Sequence, residues 1–238
     1  MLSSVFAIVI GLLVGFVILL ICNPSQALPG FVTILTGAFT HGLKGVGQVF
    51  YYATPIILTG LSVGFAFKTG LFNIGTPGQF IVGAFAAVYV GIMWTGLGRI
   101  QWAVALLAAI LGGALWGMVP GVLKACFNVN EVIASIMMNY IGMYMVNWIV
   151  KSYKPLFNNL RNESRNVAAT AQIPKMGMDK LFPESSVGGG ILLAVAAVLL
   201  IWVILNKTTF GYELKAVGFN RDAGRYEGIN EKRNIIKI

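Results

Sequence analysis

Six apolar stretches, each long enough to cross a hydrocarbon layer, constrain this chain more than any other feature. A bilayer core about 30 Å thick takes about 20 helical residues to cross. Runs near that length stand at about Leu2–Cys22, Val49–Phe67, Phe80–Leu97, Gln101–Val122, Glu131–Val150 and Gly188–Leu205. Of the 238 residues, 57% are apolar and 11% charged, against about 45–50% and about 25% in soluble domains. No soluble fold of this size could hide so much apolar surface. The expectation is an all-α polytopic membrane bundle of about six transmembrane helices.

The N-terminal run has no basic segment ahead of it and is long enough to span, so a cleaved signal peptide is the poorer reading. Phe31–Phe39 is too short to cross and is expected at the interface or dipping into it. Pro55 falls inside the second span, where neighbouring helices can satisfy the carbonyl it frees. Small residues recur at four-residue spacing: Gly11 and Gly15; Gly60 and Gly64; Gly83, Ala87 and Gly91; Gly113, Gly117 and Gly121. Such stripes are expected to mark close helix contacts.

Lys and Arg number 17 against 8 Asp and Glu, a net charge of +9. These basic residues lie between apolar segments and in the tail, where lipid headgroups and cytoplasmic partners are the natural counter-surface. Nucleic acid is not expected as a partner. If the tail is cytoplasmic, Lys68, Lys124 and seven tail residues lie inside, and Lys44, Arg99 and six loop residues outside. That near-tie leaves orientation undecided by charge.

Three segments carry chemistry. In Phe72-Asn73-Ile74-Gly75-Thr76-Pro77-Gly78-Gln79, two glycines and a proline interrupt the helical pattern with almost no polar spacer. Irregular backbone near membrane depth must be buried in protein or line a wet cavity, as in the broken helices of transporters. A re-entrant break at Asn73–Gln79 is one reading. An interfacial turn with Asn73 and Gln79 as helix caps is the other.

In the second segment, Asn130 suits the N-cap of a helix and Glu131 its positive dipole end. Glu131, Ser135, Asn139, Met143 and Asn147 then follow i, i+4 spacing on one face. Amides in a membrane helix are expected to face the bundle interior or a pathway. Pathway lining is preferred for Asn139, helix capping for Glu131.

The tail from Thr208 to Asn230 reads as a short helix, a break at Gly218, and a second helix from about Arg221 capped by Asn220. Such an element either docks on a soluble partner or lies on lipid. There is no Gly-x-x-x-x-Gly-Lys-Ser/Thr run for nucleotide phosphates and no His, Cys or carboxylate cluster for a metal. No cofactor, metal site or catalytic residue is therefore expected. His41 lacks a catalytic partner, and Cys22 and Cys126 lack ligand spacing.

Together the three segments resemble the permease subunits of ATP-binding-cassette importers, in the branch that includes ribose, branched-chain amino acid and nucleoside permeases. The branch carries Phe-Asn-Ile-Gly-x-x-Gly-Gln, matched from Phe72 to Gln79. Pro77 stands where it often has an acidic residue. Asn130-Glu131-Val132-Ile133 followed by Met138-Asn139-Tyr140 looks most like the nucleoside group, associated with basic membrane lipoproteins. The tail is similar to the family's cytoplasmic loop, with Thr-x-Phe-Gly, Ala-Val-Gly-x-Asn and Ala-x-x-x-Gly-Ile in order.

The resemblance implies a transmembrane permease domain over 1–206, an extracytoplasmic loop over 151–187, and a cytoplasmic coupling loop over 207–238. It implies a multi-pass protein of the bacterial cytoplasmic membrane that imports a small polar solute, best a nucleoside. Partners would be an ATP-binding-cassette ATPase subunit, a second permease subunit, an extracytoplasmic solute-binding lipoprotein and membrane lipid. Asn73, Gln79, Ser135 and Asn139 would line the path, and Ala216, Gly218, Asn220, Arg221 and Gly228 would couple to the ATPase. Such permeases continue past this loop with further helices, so the chain is expected to be the front portion of a larger permease. The alternatives are a truncated membrane scaffold that does not transport, or a permease for ribose, another sugar or branched-chain amino acids. An ion-coupled carrier would need ionisable groups within its spans, and almost none are present.

Overall fold

The computed structural model describes residues 2–220 and 226–229. Its long helices are α1 (Leu2–Cys22), α2 (Pro24–Thr40), α3 (Gly42–Lys68), α4 (Thr76–Met93), α5 (Gln101–Phe127) and α6 (Glu131–Ser152). After a two-strand hairpin, β1 (Phe157–Asn158) with β2 (Glu163–Ser164), come α7 (Met178–Leu181), α8 (Gly190–Lys207) and α9 (Thr209–Phe219). Among the described residues, six helical stretches are long and apolar enough to cross a membrane: Val5–Cys22, Gly42–Lys68, Thr76–Met93, Thr95–Phe127, Glu131–Ser152 and Gly190–Lys207. The expected all-α polytopic fold is the observed one. The segment around Phe31–Phe39 is part of α2, 17 residues long and not among the spans.

Helix ends follow local chemistry. The Asn130 side chain accepts hydrogen bonds from the backbone N–H groups of Val132 (2.9 Å) and Ile133 (3.3 Å), fixing the start of α6. Asn128, left-handed at φ 53°, closes α5 with its N–H on the Leu123 and Lys124 carbonyls. The second span begins at Gly42 rather than Val49. Its extra polar turns have partners: Lys44 pairs with Glu184 at 3.2 Å, and Gln48 Oε1 accepts from the Ser186 N–H at 3.4 Å.

The chain divides into two compact units, Met1–Ala53 with Lys175–Gly188, and Thr54–Pro174 with Gly189–Ile238. In the first, α1 and α2 pack with the Phe16 and Phe31 rings 4.9 Å apart. The 182–186 segment lies on the first half of α3, with Phe50 and Phe182 at 5.4 Å and Gly47 against Ser185.

The second unit is centred on α4, which packs against both α5 and α6. A Cβ on Gly83 would stand 2.8 Å from the Ala109 carbonyl oxygen, and one on Gly117 2.8 Å from Gln79 Nε2. Glycine is what lets the two helices touch there. Trp116 on α5 covers Gly142 on α6 and donates its indole N–H to the Met138 carbonyl at 3.3 Å. The small-residue stripes therefore divide. Gly83, Gly113 and Gly117 carry the α4–α5 contact, whereas Gly11, Gly15, Gly60 and Gly64 have nothing within 4 Å and make no such contact among the described residues. Gly91 instead receives the loop residue Val167. Beside it Gln101, fully buried, donates to the Val90 and Gly91 carbonyls and accepts from the Thr170 hydroxyl.

Candidate functional site

The helical pattern fails at Lys68, and a short coil carries the chain to α4. Thr69 turns its hydroxyl back onto the Ala66 carbonyl at 2.6 Å, and Gly70 adopts φ +74°. Asn73 then closes a local turn, its Oδ1 accepting from the Gly75 N–H at 2.8 Å. α4 begins at Thr76 with Pro77 in its first turn, where a fixed φ and a missing N–H are tolerated. The interruption thus covers 69–75, and Thr76 to Gln79 are already helical.

The coil is held by α6. Asn139 Oδ1 accepts from the Gly78 N–H at 2.8 Å, and Asn139 Nδ2 donates to the Ile74 carbonyl at 2.8 Å. One amide satisfies one backbone group on each side of the α4 start, as buried peptide groups require. A Cβ on Gly78 would lie 2.8 Å from Asn139 Oδ1 and 2.9 Å from its Cα, so the clamp needs glycine.

Beside this clamp lies a cavity of about 720 Å³. Thr59 and Ser62 of α3 line it, with Phe72, Asn73 and Thr76 around the coil and Gln79 and Phe80 of α4. Ile110, Met118 and Lys124 of α5 and Glu131 and Ser135 of α6 also stand in the wall. Lys124 and Glu131 form an ion pair at 2.8 Å, their side chains 15% and 23% exposed. The cavity is thus largely apolar, with uncharged polar groups near the coil and one internally neutralised pair. A few convergent polar groups in an apolar pocket of this size make a ligand-site geometry.

Three of the four path residues named from sequence, Asn73, Gln79 and Ser135, line this cavity. Asn139 is not in its wall: its carboxamide is engaged by Ile74 and Gly78. Glu131 opens α6 as expected and also holds Lys124. Thr59, Ser62, Thr76 and Lys124 were not singled out from sequence. Thr59, Ser62 and Ala66 recur at three- and four-residue spacing along α3, a signal that could have marked this face.

The residues expected from sequence to couple to an ATPase are spread along the C-terminal segment. The Thr208 side chain caps α9, accepting from the Gly211 N–H at 3.1 Å. Gly211 lies so close to the Ile204 carbonyl and Leu205 that no side chain fits. α9 buries Leu214 and Val217 and leaves Tyr212 and Phe219 exposed. Gly218 does not break the helix as expected; α9 continues to Phe219. Its role is close approach: a Cβ there would stand 2.7 Å from the Lys68 carbonyl oxygen and 3.1 Å from the Gly70 nitrogen. Ala216 is half-buried and accepts from the Asn220 N–H at 3.1 Å, and Asn220 is the C-cap of α9. Gly228 has φ +78° with open space around it. Arg221 and the helix expected from it lie outside the described residues.

The family model described as the permease component of the branched-chain amino acid transport system matches residues 45–238. The chain belongs to this family. It is a multi-pass protein of the cytoplasmic membrane. It is 39% identical, over 99% of its length, to the guanosine ABC transporter permease protein NupP of Bacillus subtilis. It is 33% identical, over 99% of its length, to the nucleoside ABC transporter permease protein NupB of Lactococcus lactis. Over 84% of its length it is 32% identical to the glucose ABC transporter permease protein TsgB13 of Haloferax volcanii, spanning 53% of that relative. It spans 66% of the length of the first and 65% of the second. No solved structure matches the chain.

Proposed function

We propose that the chain is a permease subunit of an ATP-driven importer that carries a nucleoside across the cytoplasmic membrane. ATP hydrolysis takes place on a separate ATP-binding-cassette subunit, and a second permease subunit and an extracytoplasmic solute-binding lipoprotein complete the assembly. One observation carries the reading: Gly218 of α9 rests on the Lys68–Gly70 backbone, and that turn leads into the coil lining the cavity. A displacement of α9 by a partner reaches the cavity wall through one backbone contact. Alternating access then follows as motion of the coil and α4 against α6, with the solute held near Asn73, Gln79 and Ser135.

The cavity chemistry supports a neutral solute that is polar at one edge and apolar elsewhere. The internal pairing of Lys124 with Glu131 leaves no net positive charge for a phosphate to meet. The exposed face of α9, with Tyr212 and Phe219, suits contact with the ATPase subunit. The guanosine and nucleoside names of the two relatives point the same way.

Labelled guanosine uptake in cells carrying the intact locus, compared with cells lacking this gene, tests the proposal. Energy-dependent uptake lost on deletion supports it; uptake unchanged by deletion overturns it. The similarity to a glucose permease favours a sugar as second reading. Labelled glucose would then be accumulated in a manner lost on deletion of this gene, and labelled guanosine would not.

A further inference from the structure

We propose that Asn73, Thr76 and Ser135 form a subsite for the sugar hydroxyls of the solute, so that the ribose moiety, more than the base, decides what is carried. This inference rests on the importer reading and assigns a role within its cavity.

The observation behind it is a set of polar groups with no partner among the described residues where partners would be expected. Thr76 is 7% exposed and its hydroxyl is buried without a hydrogen bond to any described residue. Ser135 is 3% exposed, and none of the described residues bonds its hydroxyl. Asn73 spends its Oδ1 on the Gly75 N–H, which leaves its amide N–H groups. All three line the same cavity. They also share one neighbour: Ser135 Cβ and Oγ lie 3.4 and 3.5 Å from where a Gly75 Cβ would stand, Thr76 follows Gly75, and Asn73 Oδ1 bonds to it.

Buried hydroxyls in proteins are almost always paired. Leaving the Thr76 hydroxyl buried and unpaired beside the Ser135 hydroxyl on one cavity wall is costly unless a ligand or displaceable water completes it. Ser135 lies one helical turn beyond Glu131 on α6. The missing partner must both donate and accept, because a hydroxyl does both and an amide N–H donates. Adjacent sugar hydroxyls meet that requirement. An anionic group does not, since it would stand one turn from the Glu131 carboxylate, and the neighbouring cation, Lys124, is already held at 2.8 Å.

The apolar half of the solute has its own place. Phe80 lies one turn after Thr76 on α4, and Phe72 precedes Asn73; both rings line the cavity. A planar base against an aromatic ring gains stacking energy that varies little with base identity. The arrangement therefore favours nucleosides over free bases and nucleotides, with tolerance for the base.

The test uses the full chain in its native assembly, in cells with the intact locus. Labelled guanosine uptake is competed with guanosine, 2′,3′-dideoxyguanosine and guanine. Wild type, Thr76→Val, Thr76→Ser and Ser135→Ala are compared at matched membrane abundance. In the wild type, guanosine is expected to compete at least about tenfold better than the dideoxy analogue. In Thr76→Val and Ser135→Ala the KM for guanosine rises about tenfold, while inhibition by the dideoxy compound stays within about twofold. Thr76→Ser retains wild-type discrimination. Equal competition by guanosine and the dideoxy analogue in the wild type overturns the subsite, and so do equal shifts for both compounds in the variants. A wild type that takes up no guanosine overturns the importer reading itself, a separate result. If Thr76→Val does not reach the membrane, Ser135→Ala, which removes a single oxygen, and the wild-type competition still decide.

Discussion

Asn139 shows what one amide does where a membrane helix is interrupted. Its two short bonds, to the Gly78 N–H and the Ile74 carbonyl, stand in for the ladder that the chain loses between α3 and α4. Asn139→Ala leaves both backbone groups unpaired and is expected to cost about 2 kcal/mol, from about 1–3 kcal/mol per orphaned group discounted for partial exposure. Thermal melting of the purified protein in detergent reads this loss, and an unchanged midpoint would remove the clamp from the account. Asn139→Asp keeps the acceptor for Gly78 but sets a carboxylate against a carbonyl, so it should not restore the midpoint. The Lys124–Glu131 pair is a milder case. Its partial exposure limits its worth, and a double-mutant cycle with Lys124→Met and Glu131→Gln is expected to give a coupling of about 1 kcal/mol. From sequence, Asn130 and Glu131 were legible as a helix start because capping is local. The clamp by Asn139 was not, because its partners lie 61 and 65 residues away and no periodicity announces them.

At the scale of elements, glycine does two opposite things here. Where α4 meets α5, Gly83 leaves no room for a methyl group, its Cβ site being 2.8 Å from the Ala109 carbonyl oxygen. On α3, Gly60 has open space around it. Gly60→Ala should therefore raise stability by up to about 1 kcal/mol through helix propensity alone, whereas Gly83→Ala should lower it. Melting of the two variants side by side checks the contrast; a rise for both would mean that α4 and α5 yield easily. α9 supplies the functional version of this argument. Gly218→Ala pushes α9 away from Lys68–Gly70 and is expected to cut uptake severalfold at unchanged membrane abundance. Normal uptake by that variant would break the proposed link between α9 and the cavity. The four-residue stripe was readable in the sequence for α3, α4 and α5. Which stripes meet a neighbour was not, because small-residue spacing describes a helix surface and not its partner.

At the scale of the molecule, span number and class were legible because lipid imposes length and uniform apolarity on every crossing element. The boundaries moved where polar turns found partners, as at Gly42–Gln48. The long loop 151–187 hides more structure than its composition suggests. Part of it is pinned to the end of α4 by Gln101, whose amide reaches Val90, Gly91 and Thr170 while fully buried. Gln101→Ala is expected to free residues 167–171 and to speed proteolysis within that stretch, measured on intact protein in detergent. Unchanged cleavage would show that the Ala168–Gly91 backbone bond suffices.

The contact between Gly218 and Gly70 also sets an order of events in biogenesis. A ribosome delivers the chain from its N-terminus, so the turn after α3 emerges long before the residue that covers it. Until α9 has been made and folded back at Gly211, the coil is held from the α6 side alone. The contact between α9 and the turn that leads to the cavity wall is among the last the described chain can form. A nascent protein carries its cavity before it carries the element proposed to move it.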